Sequence, residues 1–329
     1  MTRFLTNLMP ILLLLTAMVA RAEGGVMPFV IMEYNCENLF DCRRDTLADD
    51  TEFLPDSERE WTFPRYWRKL NDIARVIHQC STGGRQPHLP DLVALTEVEN
   101  DSVIYMLTRR SMLRAAGYRY HITQSKDPRG IDVALLYNPL TFSVITHATL
   151  RITPPKGNSH TRDILYVKGR TRKNDTLHIF ALHSPSRRGG EEVAEDYRLA
   201  VARRVKQSLD SIRTHTPQAS IIIAGDFNDY THSKSLRYLT RVGMTDISAR
   251  VRGKRARGTY KYQGMWNSLD HILISPTLQN RVNTCRIYDP EWLLDIDSRG
   301  GYKPRRTYLG TYYHGGVSDH LPLVLTLSL

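Results

Sequence analysis

The sequence predicts an α/β fold in which two mixed β-sheets pack face to face with helices on their outer sides. Three observations lead there. Short, wholly apolar, β-branched runs such as residues 221–224 (IIIA) read as strands buried on both faces. Between such runs, apolar residues recur at helical spacing around 64–77 and 191–213. The strands also fall into two roughly similar halves, each with several strands that end in polar residues, which suits two packed sheets covered outside by helices.

Taken in order, residues 29–34 (FVIMEY) form a buried strand that delivers Asn35-Cys36-Glu37-Asn38. Residues 42–60 are acidic and irregular, a surface loop. From Pro64, Trp67, Leu70, Ile73, Ala74 and Ile77 share one helical face. A Gly- and Pro-bearing loop over 81–90 leads to a second buried strand, 92–96, which delivers Glu97. A helix over 102–115 follows and ends at Gly117. Strands are predicted at 118–123, 131–137, 142–149, 163–168 and 177–182. The long helix over 191–213 has Val193, Tyr197, Ala200, Val201, Val205 and Leu209 on its buried stripe. After the 221–224 strand come a helix near 233–241, a basic segment at 250–257, a strand at 268–275, a loop-rich region at 290–317 and a closing strand to Leu329.

Composition narrows the class. The chain has 329 residues and a formal net charge of +11, which favours a polyanionic partner such as nucleic acid or a phospholipid surface. Arg3, the apolar stretch from Met9 to Val19 and the Ala20-Arg21-Ala22 cleavage pattern read as a signal peptide over 1–22. The mature chain, 23–329, is expected to be exported, to the periplasm or the extracellular medium, and to form a single domain. Its four cysteines, Cys36, Cys42, Cys80 and Cys285, have no CxxC spacing, which argues against a zinc site. Their disulfide state stays open.

The chemistry centres on residues 221–230, IIIAGDFNDY. Asp226 and Asn228 stand two apart at a strand end, where extended backbone points both to the same side. A carboxylate suits a hard cation and an amide can hold a phosphate oxygen. An Asx-type turn is the alternative for that pair alone. Collecting the polar residues just after buried strands gives Asn35, Glu37, Glu97, His183, Asp226, Asn228, Asp270, Asp319 and His320. Carboxylates, amides and two histidines without a thiolate cluster favour Mg²⁺, Mn²⁺ or Ca²⁺ over soft metals. They supply the base, acid and oxygen-holding groups that phosphodiester hydrolysis needs.

Six motifs now stand in order: YNCENLFD (34–41), LTEVEN (95–100), HSPSRRGG (183–190), GDFND (225–229), LDHI (269–272) and SDHLP (318–322). In these the chain resembles the endonuclease/exonuclease/phosphatase superfamily, deoxyribonuclease I-like, over nearly the whole mature sequence. The resemblance implies a four-layer α/β/β/α sandwich and a Mg²⁺-dependent phosphoric ester hydrolase. It implies Glu97 as the principal metal ligand, with Glu37 and Asp319 assisting. It implies Asn35, Asn228 and Arg162 on the substrate phosphate, and Asp226 on the attacking water. His320, paired with Asp270, would serve as general acid or base. His183 stands where the deoxyribonuclease I-like and sphingomyelinase-like branches carry His and the AP endonucleases carry Tyr. Asp132 is a candidate to orient His183, and His271 is read as structural.

One such site serves nucleic acids, phospholipids and soluble phosphate esters, so the surroundings must choose. The basic segment 250–257 and the aromatic-basic loop 302–313 suit a nucleic-acid substrate, DNA or RNA, with tyrosines free to stack on bases. A phospholipid or sugar phosphate is the alternative substrate, and a binding protein on a retired catalytic fold a third reading. No protein partner is inferred, and a monomer is expected.

Overall fold

A computed structural model describes residues 27–80, 88–155, 160–187 and 191–329. The signal-peptide reading of 1–22 lies outside them, as does most of the 81–90 loop. In chain order the chief elements are β1 (Phe29–Leu39), α1 (Phe63–Gln79), β2 (Leu92–Val98), α2 (Asp101–Arg109), β3 (Arg119–Ile122), β4 (Asp132–Tyr137), β5 (Phe142–Leu150), β6 (Ile164–Thr171) and β7 (Thr176–His183). Then come α3 (Glu191–His215), β8 (Ser220–Asp226), α4 (Lys234–Arg241), β9 (Thr245–Asp246), β10 (Tyr260–Tyr262), β11 (Met265–Asn267) and β12 (Asp270–Ile274). The chain closes through β13 (Val282–Ile287), β14 (Leu294–Ile296), β15 (Tyr302–Pro304), β16 (Tyr308–Leu309), β17 (Tyr312–Tyr313) and β18 (Leu323–Leu327).

Two six-stranded sheets carry the fold, in the orders β13-β18-β1-β2-β4-β3 and β5-β6-β7-β8-β12-β9. Each is mixed, with a single parallel pair near its centre, β1–β2 in one and β7–β8 in the other. The α/β sandwich of two mixed sheets is the observed fold, but the sheets are not two halves of the chain, since the C-terminal β13 and β18 join β1–β4 in the first. Alternation along β8 shows how the layers arise. Ile222 and Ala224 join the core between the sheets, while Ile221 and Ile223 join a second core with Val201, Val205 and Leu209 of α3 and Leu236 and Leu239 of α4. Strand geometry sends successive side chains to opposite faces, so a wholly apolar run is what a sheet covered on both sides requires. On the other sheet, α1 packs on β1 and on α2 through Tyr66, Leu70, Ile73, Ala74 and Ile77.

Three details differ from the sequence reading. The helix expected over 102–115 stops at Arg109, and a separate 3₁₀ turn, Met112–Ala116, follows. Ser111 starts that turn by accepting the Leu113 N–H at 3.0 Å, and Gly117 ends it in the left-handed region at φ +67°. On α3, Val193 is 48% exposed and Ala194 takes the buried place, so the stripe begins one residue later. The 290–317 region is loop-rich as expected but folds into two short hairpins, β14–β15 and β16–β17. All four cysteines are free thiols.

Gly225 fixes the height at which β8 delivers its last residue. A Cβ there would lie 1.9 Å from the Leu182 carbonyl oxygen of β7, in a backbone with φ +155°. Gly225→Ala is therefore expected to lower stability by at least about 1–3 kcal/mol, the scale of core overpacking. Urea unfolding measures this, and an unchanged midpoint would show that the two strands can separate freely at the site.

Candidate active site

The sheets bring their polar strand ends to one edge. In the parallel pair β7–β8, His183 is the register partner of Asp226, and in the antiparallel pair β8–β12, Asp226 is the partner of Asp270. His183, Asp226 and Asp270 thus form a row across the ends of three strands. From the opposing sheet, Asn35 Nδ2 donates to Asp226 Oδ2 at 3.0 Å. The loop before β18 adds Asp319 and His320. It is tied down by Ser318, whose Oγ donates to the Asn35 carbonyl at 2.7 Å and accepts the His320 N–H at 3.0 Å.

Irregular backbone aims the remaining carboxylates. Glu37, Asn38 and Glu97 all have positive φ (48°, 60° and 56°), and the β1–β2 and β2–β4 registers shift at these residues. Bulges of this kind turn side chains out of the strand alternation and recur beside active sites. Here they turn Glu37 and Glu97 toward a common space. Glu97 Oε2 accepts the Asn38 N–H at 3.0 Å, and Glu37 Oε2 accepts the Thr307 N–H at 2.7 Å. Arg306 bridges Glu37 and Asp319, its Nε 3.6 Å from Glu37 Oε1 and its Nη2 bonded to Asp319 Oδ2. Two of the three carboxylates named as metal ligands, Glu37 and Asp319, are thus joined through Arg306, while Glu97 lies beside His183.

His320 Nδ1 lies 2.7 Å from Asp270 Oδ2, and its Nε2 is 4.0 Å from Asp226 Oδ2 and 3.9 Å from Asp319 Oδ1. Burial alone would lower the imidazole, but Asp270, Asp319 and Asp226 outweigh it and hold His320 well above the ordinary histidine range. Tyr260 braces the outer side of the ring, centroid to centroid 4.9 Å. His183 behaves oppositely. Burial, aided by Arg162, Arg129 and His320, holds it well below the ordinary range. Its Nε2 sits 3.7 Å from Asp226 Oδ2 and 3.8 Å from Glu97 Oε1. The site thus sets an imidazole held above the ordinary range and one held below it around a single carboxylate. Asp226 itself is raised to about 7, first by burial and then by Asp270.

Asp226, Asp270 and His320 also form a compact group whose possible ligand atoms lie within 4.8 Å of one another. Asp270 Oδ2 is bonded to His320 and Asp226 accepts from the Asn35 and Asn228 amides, an arrangement that suits acid–base work, while Asp270 Oδ1 has no partner. Glu97, Glu37 and Asp319 are the hard-oxygen set, each reachable from outside at 15%, 12% and 18% side-chain exposure. Burial and then Asp319 raise Glu37 to about 7, the mark of carboxylates crowded without enough positive charge. The donor set fits a hard divalent cation.

Other assignments sit differently from the sequence expectation. Asn228, at φ +50°, spends its amide on the Ser184 carbonyl at 3.0 Å and on Asp226 at 3.2 Å. Arg162 is buried behind His183, with Nη1 on Asp127 at 3.0 Å and Nη2 on the Ser184 carbonyl at 2.9 Å. Both are bonded within the protein beside His183 and Asp226. Asp132 does not orient His183. Its carboxylate accepts from Thr123 Oγ1 at 2.6 Å and the Ser125 N–H at 2.9 Å. His271, read as structural, is buried on Asp246 at 2.9 Å.

Residues absent from the sequence list also line the site. Arg129 is 47% exposed, bonded to Asn38 and 4.0 Å from Glu97, so its guanidinium stands at the mouth. Lys69 projects from the buried face of α1 and donates to the Glu37 carbonyl at 2.6 Å and to Thr307 Oγ1 at 2.5 Å. A lysine within an apolar helical stripe was the available signal. Lys69→Met would strand both acceptors and is expected to cost about 1–3 kcal/mol. An unchanged urea midpoint would mean that burying the ammonium costs as much as its bonds contribute.

A family model described as the Endonuclease/Exonuclease/phosphatase family matches residues 30–328. No curated protein sequence matches the chain. Among solved structures, a Bacteroides thetaiotaomicron protein of that family is similar at TM-score 0.62 and 15% identity, over 91% of this chain and 94% of its own. A mannosyl-6-phosphatase of the same species is similar at TM-score 0.59 and 16% identity, over 90% and 98% of the two chains. Truncated Caenorhabditis elegans TDP2 is similar at TM-score 0.58 and 15% identity, over 92% and 97%. At these identities the likeness is one of fold.

Proposed function

The chain belongs to the endonuclease/exonuclease/phosphatase family, a family of phosphoric ester hydrolases, and we propose that it is an exported, Mg²⁺-dependent phosphodiesterase acting on DNA or RNA with little sequence preference. The observation that carries the reaction class is the His320–Asp270 pair, 2.7 Å apart, set against Asp226 and the second histidine. Asp270 holds the ring so that Nε2 faces the space between Asp226 and Asp319. From there the charged imidazole neutralises a phosphate oxygen or protonates a leaving oxygen. Asp226, held by the Asn35 and Asn228 amides, orients the attacking water with neutral His183 beside it. Glu97, Glu37 and Asp319 would hold the cation, which when bound supplies charge to the phosphate; Mn²⁺ or Ca²⁺ would meet the same donors.

The nucleic-acid substrate is supported by exposed charge. Arg250, Arg252, Lys254 and Arg257 are exposed on a loop whose backbone is pinned by Asp289, which accepts the Lys254 N–H at 3.0 Å and the Ala256 N–H at 2.8 Å. Tyr302 and Tyr312 are exposed as well. Part of the aromatic-basic loop is otherwise engaged: Tyr308 is buried, and Arg306 is committed to Asp319 and Glu37. A phosphatase acting on a sugar phosphate is the second reading, supported by the likeness to the mannosyl-6-phosphatase.

Supercoiled plasmid, RNA, sphingomyelin and a sugar phosphate, compared side by side with Mg²⁺ and with EDTA, separate these readings. We expect plasmid nicking that EDTA abolishes and that falls steeply with salt. Activity confined to the sugar phosphate or the lipid would overturn the nuclease. His320→Ala and His183→Ala should each slow turnover about 10²–10⁴-fold, and near-wild-type rates would remove that histidine from the chemistry. Glu97→Gln should weaken the thermal shift that Mg²⁺ produces, whereas an unaltered cation titration would exclude Glu97 as a ligand.

A further inference from the structure

One buried ionisable side chain has no part in that chemistry. Glu33 lies inside β1, flanked by Met32 and Tyr34, at 0% exposure, and neither carboxyl oxygen has a hydrogen-bond partner. Extended backbone puts Glu33 on the same face as Asn35, two residues on, whose amide crosses to Asp226. Glu33 therefore enters the same seam one step deeper, where β1 packs against β8 and β12. Asp270, Asp226 and His320 are the charged groups that act on it there. Asp270 has the complementary defect. Its Oδ2 is taken by His320, and its Oδ1 is buried without a partner.

A buried carboxylate with no partner is among the most costly groups in a fold, and it avoids that cost by staying protonated. Burial is the main cause, reinforced by Asp270 and Asp226. A carboxylic acid has an O–H to donate, and the free Asp270 Oδ1 is an acceptor. Unpartnered polar atoms buried in one seam are where folded proteins hold a structural water.

We propose that Glu33 is a positioning residue for the His320–Asp270 pair, its carboxylic O–H linked through one buried water to Asp270 Oδ1 so that Oδ2 stays turned toward His320 Nδ1. This rests on the acid–base reading of His320 given above. No proton is transferred along the link. Its role is orientation, as an outer partner fixes a histidine's tautomer in other sites.

The test uses the full mature chain carrying Glu33→Gln, Glu33→Leu or Glu33→Met, with His320→Ala as reference. The two apolar variants ensure that one folding failure leaves the test standing. Turnover of plasmid and of a small aryl phosphodiester with Mg²⁺ is measured against pH, and ¹⁵N spectra of the histidine rings are recorded. Losing one hydrogen bond to a charged group should lower kcat about 10- to 100-fold in the apolar variants. KM should be unchanged, the pH limb carried by His320 displaced and its Nδ1 resonance moved. Glu33→Gln, which keeps a neutral donor, should stay within about threefold of wild type and leave the resonance in place. Apolar variants with wild-type kcat and an unmoved resonance, while His320→Ala is inactive, would overturn the role of Glu33 alone. A fully active His320→Ala would instead overturn the acid–base reading on which it rests. The ring spectra need no turnover, so they decide whether Glu33 touches the pair even if neither ester is cleaved.

Discussion

The bond from Asn35 Nδ2 to Asp226 Oδ2, 3.0 Å long, is where two separate sheets become one site. Each sheet alone presents a row of strand ends. Only their packing brings the Glu37 and Glu97 bulges of one sheet opposite the His183–Asp226–Asp270 row of the other. The same asparagine accepts the Glu37 N–H through Oδ1 at 2.8 Å, so one side chain sets both the spacing of the sheets and the left-handed turn that aims Glu37. Everything at the site inherits its height from that contact and from the close approach of Gly225 to Leu182.

The seam so formed is crowded with acids. Glu33, Glu37, Glu97, Asp226, Asp270 and Asp319 converge there, against Lys69, Arg306 and the two histidines. Such a set cannot be fully ionised at low dielectric without further positive charge. The structure answers unevenly. Asp319 stays below its ordinary range because His320 and Arg306 stand beside it, despite burial. Glu33, lacking any partner, stays neutral. Glu37 and Asp226 fall between, poised where a nearby cation or phosphate decides their charge. This spread within one chain, from ionised to neutral, is how a fold places a donor and an acceptor of protons side by side at one pH.

Much of this was legible because strands announce themselves locally. An apolar β-branched run that ends in Asp, Glu, Asn or His marks a strand end in a covered sheet, and that rule singled out Asn35, Glu37, Glu97, His183 and Asp226, whereas Asp270 opens its strand. It failed where the working residue does not follow a strand. Glu33 is hidden inside one, and Lys69 sits on the buried face of α1. Arg129 lies in the turn between β3 and β4. Asp132 misled for the converse reason, since it opens β4 but serves Thr123 and Ser125 nearby. Side-chain partnerships across some sixty or two hundred residues, such as Lys69 with Thr307, leave no trace in local pattern.

What the seam does not determine is the substrate, and the reason is spatial. The groups that act on a phosphate are buried or nearly so, braced by Ser318, Thr307 and Tyr260, and they meet little of a substrate beyond its ester. Exposed charge lies elsewhere: Arg129 stands beside Glu97, and the 250–257 loop turns around Asp289. That loop is shaped by a carboxylate accepting backbone N–H groups, so its shape does not depend on which side chains it displays. Arg250, Arg252, Lys254 and Arg257 are exposed on it while Arg255 is paired with Glu291, and the loop is drawn closely onto Asp289: a Cβ on Gly253 would lie 2.3 Å from that carboxylate. The buried polar seam and the basic loop are thereby built on separate supports, one held by the contact between sheets and the other by a single buried acid.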